Sequence, residues 1–140
     1  MIIAVLGIYL IISTISDLRY RTISLKLSAF AIVLMCIVKF LIYDTLADFD
    51  IILALIPGAF IIFVGYISKE AIGYGDGLVF LVCGVALNLK DTILLLFLAF
   101  LLSAIWSIFL ILIKRDKKAT IPFVPFISCA YVILLINTQL

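Results

Sequence analysis

The sequence predicts an all-α, polytopic membrane protein with six transmembrane helices in a single domain, residues 1–140. Three observations predict this fold. Of the 140 residues, 68% are hydrophobic and 13% are charged, and the mean hydropathy is +1.48. The apolar residues fall into six segments, and the basic residues collect in alternate connections between them. A soluble domain of this length needs a polar surface that this composition does not supply.

The six apolar segments approach the length of a spanning helix, which is about 20 residues with roughly 17 to 25 tolerated. They cover residues 2–16, 27–43, 51–67, 77–89, 92–113 and 121–136. The first and fourth are short, and each has an aspartate at one end, Asp17 and Asp76. Pro57 and Gly58 predict a kink in the third segment, because proline removes a backbone donor and glycine tolerates the bend. No charge-rich tail, low-complexity tract or Pro/Gly-rich linker indicates a second domain.

The positions of the charges predict the orientation in the membrane. Eight of the ten Lys and Arg residues lie in connections one, three and five: Arg19, Arg21, Lys26, Lys69, Lys114, Arg115, Lys117 and Lys118. The other side carries Lys39, Lys90, Asp44, Asp48, Asp50 and Asp91. Because cytoplasmic loops carry the excess of Lys and Arg, connections one, three and five are predicted to be cytoplasmic and both termini outside. Asp17 and Asp76 are then expected at the same cytoplasmic membrane edge.

Asp17 and Asp76 form the main candidate site. An ionisable group at membrane depth costs roughly 2.5 to 3.5 kcal/mol and by default marks a functional site. Two carboxyl groups within reach of each other share a proton and titrate as a pair, as in aspartic proteases. The ionised member can activate water, while the protonated member polarises a carbonyl and later protonates the leaving amine. We therefore predict a catalytic aspartate pair for peptide hydrolysis.

The glycines around Asp76 support this interpretation. Gly73, Gly75 and Gly77 are expected to leave backbone space for a peptide and to permit unusual φ and ψ angles. A structural alternative stays open for each carboxylate. Asp17 is at the i,i+4 spacing for an ion pair with Arg21 on a helix, and aspartate is a favoured N-cap residue, which is the alternative role for Asp76.

Several site classes are disfavoured by the residue types present. There is no histidine, which excludes Ser-His and Cys-His nucleophile pairs and histidine metal ligands. Cys36, Cys83 and Cys129 stand alone in apolar runs, so we expect buried, inert thiols in place of a zinc or disulfide framework. We expect no cofactor, no metal and no nucleic-acid partner; the oligomeric state is open.

Three segments carry a resemblance to a known family. They are residues 17–23 (DLRYRTI), residues 73–77 (GYGDG) and residues 121–126 (IPFVPF). Their order and spacing resemble those of the prepilin peptidases, the membrane aspartic endopeptidases that process type IV pilin-like precursors. The likeness extends over nearly the full length, and six helices is the core topology of that family.

The resemblance implies that Asp17 and Asp76 are the catalytic pair, with Gly73, Gly75 and Gly77 supporting the motif. It implies prepilin-like substrates, with a short basic leader usually ending in glycine and followed by a long hydrophobic helix. Cleavage would occur at the cytoplasmic face of a bacterial inner or plasma membrane, with membrane lipid around the enzyme.

Two departures from the family pattern bear on these expectations. Many relatives have Ile-Pro-Asn where this chain has Ile-Ser-Leu at 23–25, which bears on how the loop after Asp17 is held. Longer relatives carry an additional methyltransferase region, often with paired cysteines. The chain resembles the short form, so we expect peptidase activity without N-methylation.

Two rival classes are weighed against the prepilin interpretation. Presenilin-type proteases also use a Gly-x-Gly-Asp motif, but their first aspartate follows a tyrosine, whereas Ser16 precedes Asp17. A small ion- or proton-coupled transporter could use the same two aspartates. The sequence shows no inverted repeat and is short for a carrier. Cleavage of a prepilin separates these classes from a peptidase of the proposed kind.

Overall fold

The computed structural model of the protein describes residues 1–43, 49–68, 73–114 and 121–138. Within these residues the fold consists of six helices: α1 (Ile2–Tyr20), α2 (Leu25–Tyr43), α3 (Phe49–Ile67), α4 (Tyr74–Ala86), α5 (Leu89–Lys114) and α6 (Val124–Thr138). For the described part of the chain, the prediction of an all-α fold with six helices is confirmed. The predicted loop charges Lys69, Arg115, Lys117, Lys118, Asp44 and Asp48 lie outside the described residues.

The ends of the helices follow local capping chemistry. Arg21 adopts the left-handed conformation, with φ of 52°, and its N–H donates to the Asp17 carbonyl oxygen at 2.9 Å to end α1. The Ser24 hydroxyl accepts from the Leu27 N–H at 3.4 Å at the start of α2. The Asn88 side chain does the same for the Asp91 N–H, at 2.8 Å, at the start of α5.

Among the residues that the structure describes, three helices are long and apolar enough to cross a membrane: Ile2–Tyr20, Phe49–Ile67 and Leu89–Leu112. The segments Tyr74–Ala86 and Val124–Asn137 are apolar but shorter. The 13 residues of α4 extend about 20 Å, less than the roughly 30 Å hydrocarbon core. The chain is a membrane protein, while six complete crossings and the predicted orientation stay predictions.

The bundle is built around α4. This helix packs against α1, α2, α3 and α5, and α6 packs against both α1 and α5. The buried core includes Leu6, Phe80, Leu95 and Ile127. The outer faces are also apolar, with large exposed side chains such as Ile11, Phe60, Phe97 and Ile105. Apolar side chains on both the inside and the outside fit a bundle whose surrounding solvent is lipid.

The helices α3 and α4 approach each other through small residues. A Cβ atom on Gly58 would lie 2.6 Å from the Leu81 backbone nitrogen, and one on Gly84 would collide with the Ala54 carbonyl oxygen. Glycine at these positions lets the two backbones touch. Pro57 is buried inside α3, which is helical on both sides of it.

The helices α1 and α6 are instead joined by hydrogen bonds. The Thr14 and Ser128 hydroxyl oxygens lie 2.6 Å apart, and the Tyr131 hydroxyl donates to the Ile3 carbonyl oxygen at 2.8 Å. Because α1 and α6 run antiparallel, these bonds at two levels set the register of the pair.

The three cysteines differ in burial. Cys83 is buried and Cys36 is half-buried, but Cys129 is exposed on the outer face of α6. The expectation of a buried thiol is therefore confirmed for Cys83 and wrong for Cys129. The physical reason is that both faces of α6 are apolar, so hydropathy does not distinguish the core-facing from the lipid-facing positions.

Candidate active site

Asp17 lies in the last turn of α1. The first apolar segment was predicted to end at Ser16, but the helix continues to Tyr20 and carries Asp17 within it. The Asp17 side chain is 8% exposed, which is unusual for an aspartate. Its Oδ2 atom accepts a hydrogen bond from the Val124 backbone N–H at 3.1 Å. Asp17 is therefore a buried carboxyl whose orientation is set by α6.

Asp76 lies in the first turn of α4, ahead of the apolar run predicted over 77–89. The N-cap of α4 is Gly73, in an extended conformation, and no side chain among the described residues caps this helix end. The Asp76 N–H donates to the Gly73 carbonyl oxygen at 3.1 Å, so Asp76 is the third helical residue. The alternative of an N-cap role for Asp76 is wrong, because Gly73 occupies that position.

The two aspartates line one cavity of about 620 Å³. Its walls are the end of α1, the loop that follows, the start of α4 and the residues before α6. The lining residues are Asp17, Arg21, Thr22, Ile23, Leu25, Gly73, Tyr74, Gly75, Asp76, Leu78, Ile121, Pro122 and Phe123. Helices of alternating direction place these ends on one side of the bundle, as predicted for the two carboxylates.

The electrostatics of the cavity distinguish Asp76 from an ordinary aspartate. Burial, which is the larger cause, and the nearby charge of Asp17 together raise the pKa of Asp76 from 3.8 to about 7. Desolvation and a like charge both disfavour the ionised form. Near neutral pH Asp76 can therefore both hold and release a proton beside a second carboxyl.

Two of the three glycines near Asp76 are required by close packing. A Cβ atom on Gly75 would lie 2.7 Å from Ile23 Cδ1, and one on Gly77 would collide with Ile62 of α3. A Cβ atom on Gly73 would be 3.4 Å from Asp76 Oδ2, an ordinary contact. The expected space beside Gly75 and Gly77 is thus filled by the protein itself. Within the described residues no glycine has a positive φ, so the expectation of unusual dihedral angles is wrong.

The loop after Asp17 is held at three points. The Ser16 hydroxyl donates to the Thr22 carbonyl oxygen at 3.0 Å, Ile23 fills the notch beside Gly75, and Ser24 caps α2. The loop is therefore held in this chain with Ile-Ser-Leu at 23–25, where many relatives have Ile-Pro-Asn. They also bring the segment that follows Asp17 against the segment that precedes Asp76.

Arg21 is at the rim of the same site. It lines the cavity, and its backbone N–H bonds the Asp17 carbonyl oxygen. The Asp17 carboxyl accepts a hydrogen bond from the Val124 N–H. The structural alternative of an ion pair between Asp17 and Arg21 did not include this contact. Sequence analysis missed Val124 because a backbone N–H carries no residue-type signal. The proline-rich sequence at 121–126 was the available sign of an unusual helix start.

Among the described residues, the possible metal ligands form no cluster of three or more. Across residues 1–43, 49–68, 73–114 and 121–138, no group of three or more His, Cys, Asp or Glu side chains could hold a metal ion. The chemistry that the site itself can supply is acid–base chemistry by two carboxyl groups in a partly apolar cavity.

The fold and the site define a class: a helical membrane protein with two carboxyl groups in one cavity at the ends of its helices. The model of the type IV leader peptidase family matches residues 4–108, more than half of the chain. The chain belongs to this family and is a peptidase, as the three motifs predicted. The matched stretch contains both Asp17 and Asp76 and ends before α6. Comparisons with curated proteins and with solved structures give no match.

Proposed function

We propose that this protein is a membrane aspartic endopeptidase that removes the short basic leader from type IV prepilin-like precursors at the cytoplasmic face. The observation that carries the proposal is the meeting of Asp17 and Asp76 in one cavity, with Asp76 holding a proton near neutral pH. Family membership supports the peptidase chemistry, and the predicted charge asymmetry of the loops supports the cytoplasmic location.

In the proposed mechanism Asp17 is the general base and Asp76 the general acid. Asp17 takes a proton from a water molecule, whose oxygen forms a bond to the scissile carbonyl carbon. Asp76 gives its proton to the carbonyl oxygen, producing a neutral tetrahedral diol. When the C–N bond breaks, the leaving nitrogen receives the proton held by Asp17, and a diol hydroxyl returns a proton to Asp76. The pair ends in its starting protonation state.

The decisive experiment tests both carboxyl groups against a matched aspartate. Asp17→Asn, Asp76→Asn and Asp50→Asn would be co-expressed with a panel of precursors that have a basic leader ending in glycine and an apolar helix. Asp50 is exposed in the first turn of α3, at the other end of the bundle from the cavity. We expect the first two variants to lose cleavage by about a hundredfold or more, and Asp50→Asn to cleave like wild type.

Asparagine is chosen as the substitution because it preserves the contacts that hold the fold. An asparagine at position 17 keeps a side-chain oxygen that can accept the Val124 N–H, so the contact with α6 can persist without the charge. Full activity in Asp17→Asn or Asp76→Asn, at normal membrane levels, would show that the two-aspartate mechanism is wrong. If wild type cleaves no precursor and instead catalyses proton-coupled uptake, the transporter alternative is correct. We expect the mature N-terminus to be unmethylated, which mass spectrometry of the product would check.

A further inference from the structure

The first backbone N–H of α6 donates a hydrogen bond to Asp17. The first N–H groups of a helix have no acceptor within the helix and need a partner elsewhere. The residue before α6 is Phe123, whose side chain has no acceptor atom. The Val124 N–H is instead accepted by Asp17 Oδ2, 107 residues away in the chain. A carboxylate at this position also lies at the positive end of the α6 dipole.

The turn that carries Val124 is rigidly placed. Val124 is fully buried. The ring of Phe123 lies 5.0 Å from that of Phe100 on α5 and 6.4 Å from that of Phe80 on α4, measured between centroids. Aromatic pairs at such distances add roughly 0.5 to 1.5 kcal/mol beyond their buried area. The N–H that reaches Asp17 is therefore fixed against two other helices.

The register of α6 along α1 is fixed as well. The Thr14–Ser128 and Ile3–Tyr131 hydrogen bonds occupy two further levels of the same helix pair. A shift of α6 along α1 would break all three bonds together. Asp17 is thus oriented by a helix whose position is determined from two directions.

We propose that the first turn of α6 is a positioning element of the active site, in which the Val124 N–H orients the Asp17 carboxyl and Phe123 holds that turn in place. This inference rests on the proposed function and adds to it a role for two residues that are not catalytic. Positioning matters for rate because a displacement of about 1 Å can cost about a hundredfold.

The test removes the N–H and keeps the side-chain volume close to that of valine. Val124→Pro deletes the donor, and proline is well tolerated at the first position of a helix. Val124→Ala is the control, since it loses methyl groups from the core but keeps the N–H. With a cleaved precursor as substrate, we expect Val124→Pro to lower kcat by about tenfold or more relative to Val124→Ala, with KM unchanged. Equal kcat values in the two variants would overturn the proposal.

A second measurement is independent of cleavage. A hydrophobic carbodiimide modifies protonated carboxyl groups, and mass spectrometry gives the ratio of modified Asp17 to modified Asp76. We expect Val124→Pro to raise this ratio by about threefold or more over Val124→Ala, because an Asp17 carboxyl that the Val124 N–H no longer holds can turn toward the cavity and the reagent. An unchanged ratio would overturn the positioning role even if no precursor is cleaved. Failure of the proposed function and failure of this inference are thereby distinguished.

Substitutions of Phe123 test the same positioning role while keeping the Val124 N–H. We expect Phe123→Ala to lower kcat by about tenfold, and Phe123→Tyr to restore most of it, because the ring contacts with Phe80 and Phe100 return. Phe123 also lines the cavity. A rise in KM with kcat unchanged would show that Phe123 contacts substrate and does not position Asp17, which contradicts its assigned role.

Discussion

The two helix pairs that carry the aspartates are held together by different means. The helices α3 and α4, which carry Asp76, touch backbone to backbone through Gly58, Gly77 and Gly84. The helices α1 and α6, which carry and orient Asp17, are joined by side-chain hydrogen bonds. Steric contact between backbones tolerates no added atom, whereas a hydrogen bond between helices in a membrane contributes about 0.6 kcal/mol on average. The α3–α4 pair is therefore intolerant of an added atom, whereas each single hydrogen bond of the α1–α6 pair can be lost at a small cost in stability.

The largest effect is expected where α3 and α4 touch. In Gly84→Ala the new Cβ would collide with the Ala54 carbonyl oxygen and lie 2.9 Å from the Ala54 carbonyl carbon, so a backbone has to move. Overpacking of this kind costs about 1 to 3 kcal/mol and occasionally more. We expect a melting temperature in detergent lowered by about 5 °C or more, or loss of folded protein from the membrane.

The matched control for this prediction is Gly7→Ala on α1. A Cβ atom there would lie 3.8 Å from Tyr131 Cε1, an ordinary contact. We expect Gly7→Ala to melt like wild type, because α1 and α6 do not touch through their backbones at this level. Equal losses of stability in the two variants would contradict the distinction between the helix pairs.

The next effect tests the contact that joins the two halves of the site, between Ile23 and Gly75. In Gly75→Ala the Cβ would lie 2.7 Å from Ile23 Cδ1 and 3.1 Å from Cγ1, which displaces the loop after Asp17. We expect about a tenfold loss of precursor cleavage. Adding Ile23→Ala removes Cδ1 and Cγ1 but keeps the Ile23 Cβ atom, which lies 2.9 Å from the added Cβ, so we expect it to recover only part of the loss. Ile23→Ala alone should change cleavage less than Gly75→Ala.

This rescue would be measured as a double-mutant cycle, with an interaction energy of about 0.5 kcal/mol or more expected for residues in contact. Strict additivity of the two substitutions would show that Ile23 and Gly75 act independently. It would remove the proposed link between the loop after Asp17 and the start of α4.

A smaller effect is expected from the protonation of Asp76. Its folded pKa of about 7 lies above the ordinary value of 3.8, so the folded protein binds this proton more tightly than the unfolded chain does. Stability therefore falls as pH rises from about 4 to about 7, and the full cost is present above pH 7. We expect Asp76→Asn to melt at a higher temperature than wild type at pH 8 and to show no gain near pH 4.

Asp50→Asn, at an exposed aspartate, serves as the control for the loss of one carboxylate, and the gain of Asp76→Asn is measured relative to it. The gain of Asp76→Asn would be followed by thermal melting in detergent at several pH values. A gain that is constant from pH 4 to pH 8 would contradict the raised pKa of Asp76.

The smallest effect is expected in the hydrogen bonds between α1 and α6. Ser128→Ala removes the partner of the Thr14 hydroxyl, which lies 2.6 Å away. The expected loss is about 0.6 kcal/mol, or about 2 °C in melting temperature. Ser103→Ala, at an exposed hydroxyl that bonds its own helix, should change less. A loss from Ser128→Ala as large as that from Gly84→Ala would show that the two helix pairs are equally intolerant.

The helices themselves could be predicted well, and their ends less well. Each apolar segment is a helix, because burial in lipid requires every backbone group to bond within its own segment. The end of α1 was placed before Asp17, yet the helix continues to Tyr20, where Arg21 caps it. The start of α6 was placed at residue 121, yet the helix begins at Val124. A hydropathy pattern does not locate the capping residue at a helix end, because the capping group is often a polar side chain or a backbone group.

The pair of carboxyl groups could be predicted, but its surroundings could not. Asp17 and Asp76 stand out because charge is rare in this sequence and because helix order places them on one side. Ile23 and Phe123 line the same cavity, yet each is an apolar residue among many others. No property of their side chains separates them from the core or from the lipid-facing surface.

The sequence by itself determined a helical membrane protein, the number of its helices and the meeting of two aspartates, because hydropathy, charge and helix order are properties of the chain read locally. Only the tertiary structure decided that Gly75 receives Ile23, that Gly58 and Gly84 join α3 to α4, and that the Val124 N–H bonds Asp17. These contacts depend on how each helix is rotated and shifted against its neighbours. In a chain that is apolar on nearly every helix face, rotation and shift are set by packing geometry and not by the hydrophobic pattern.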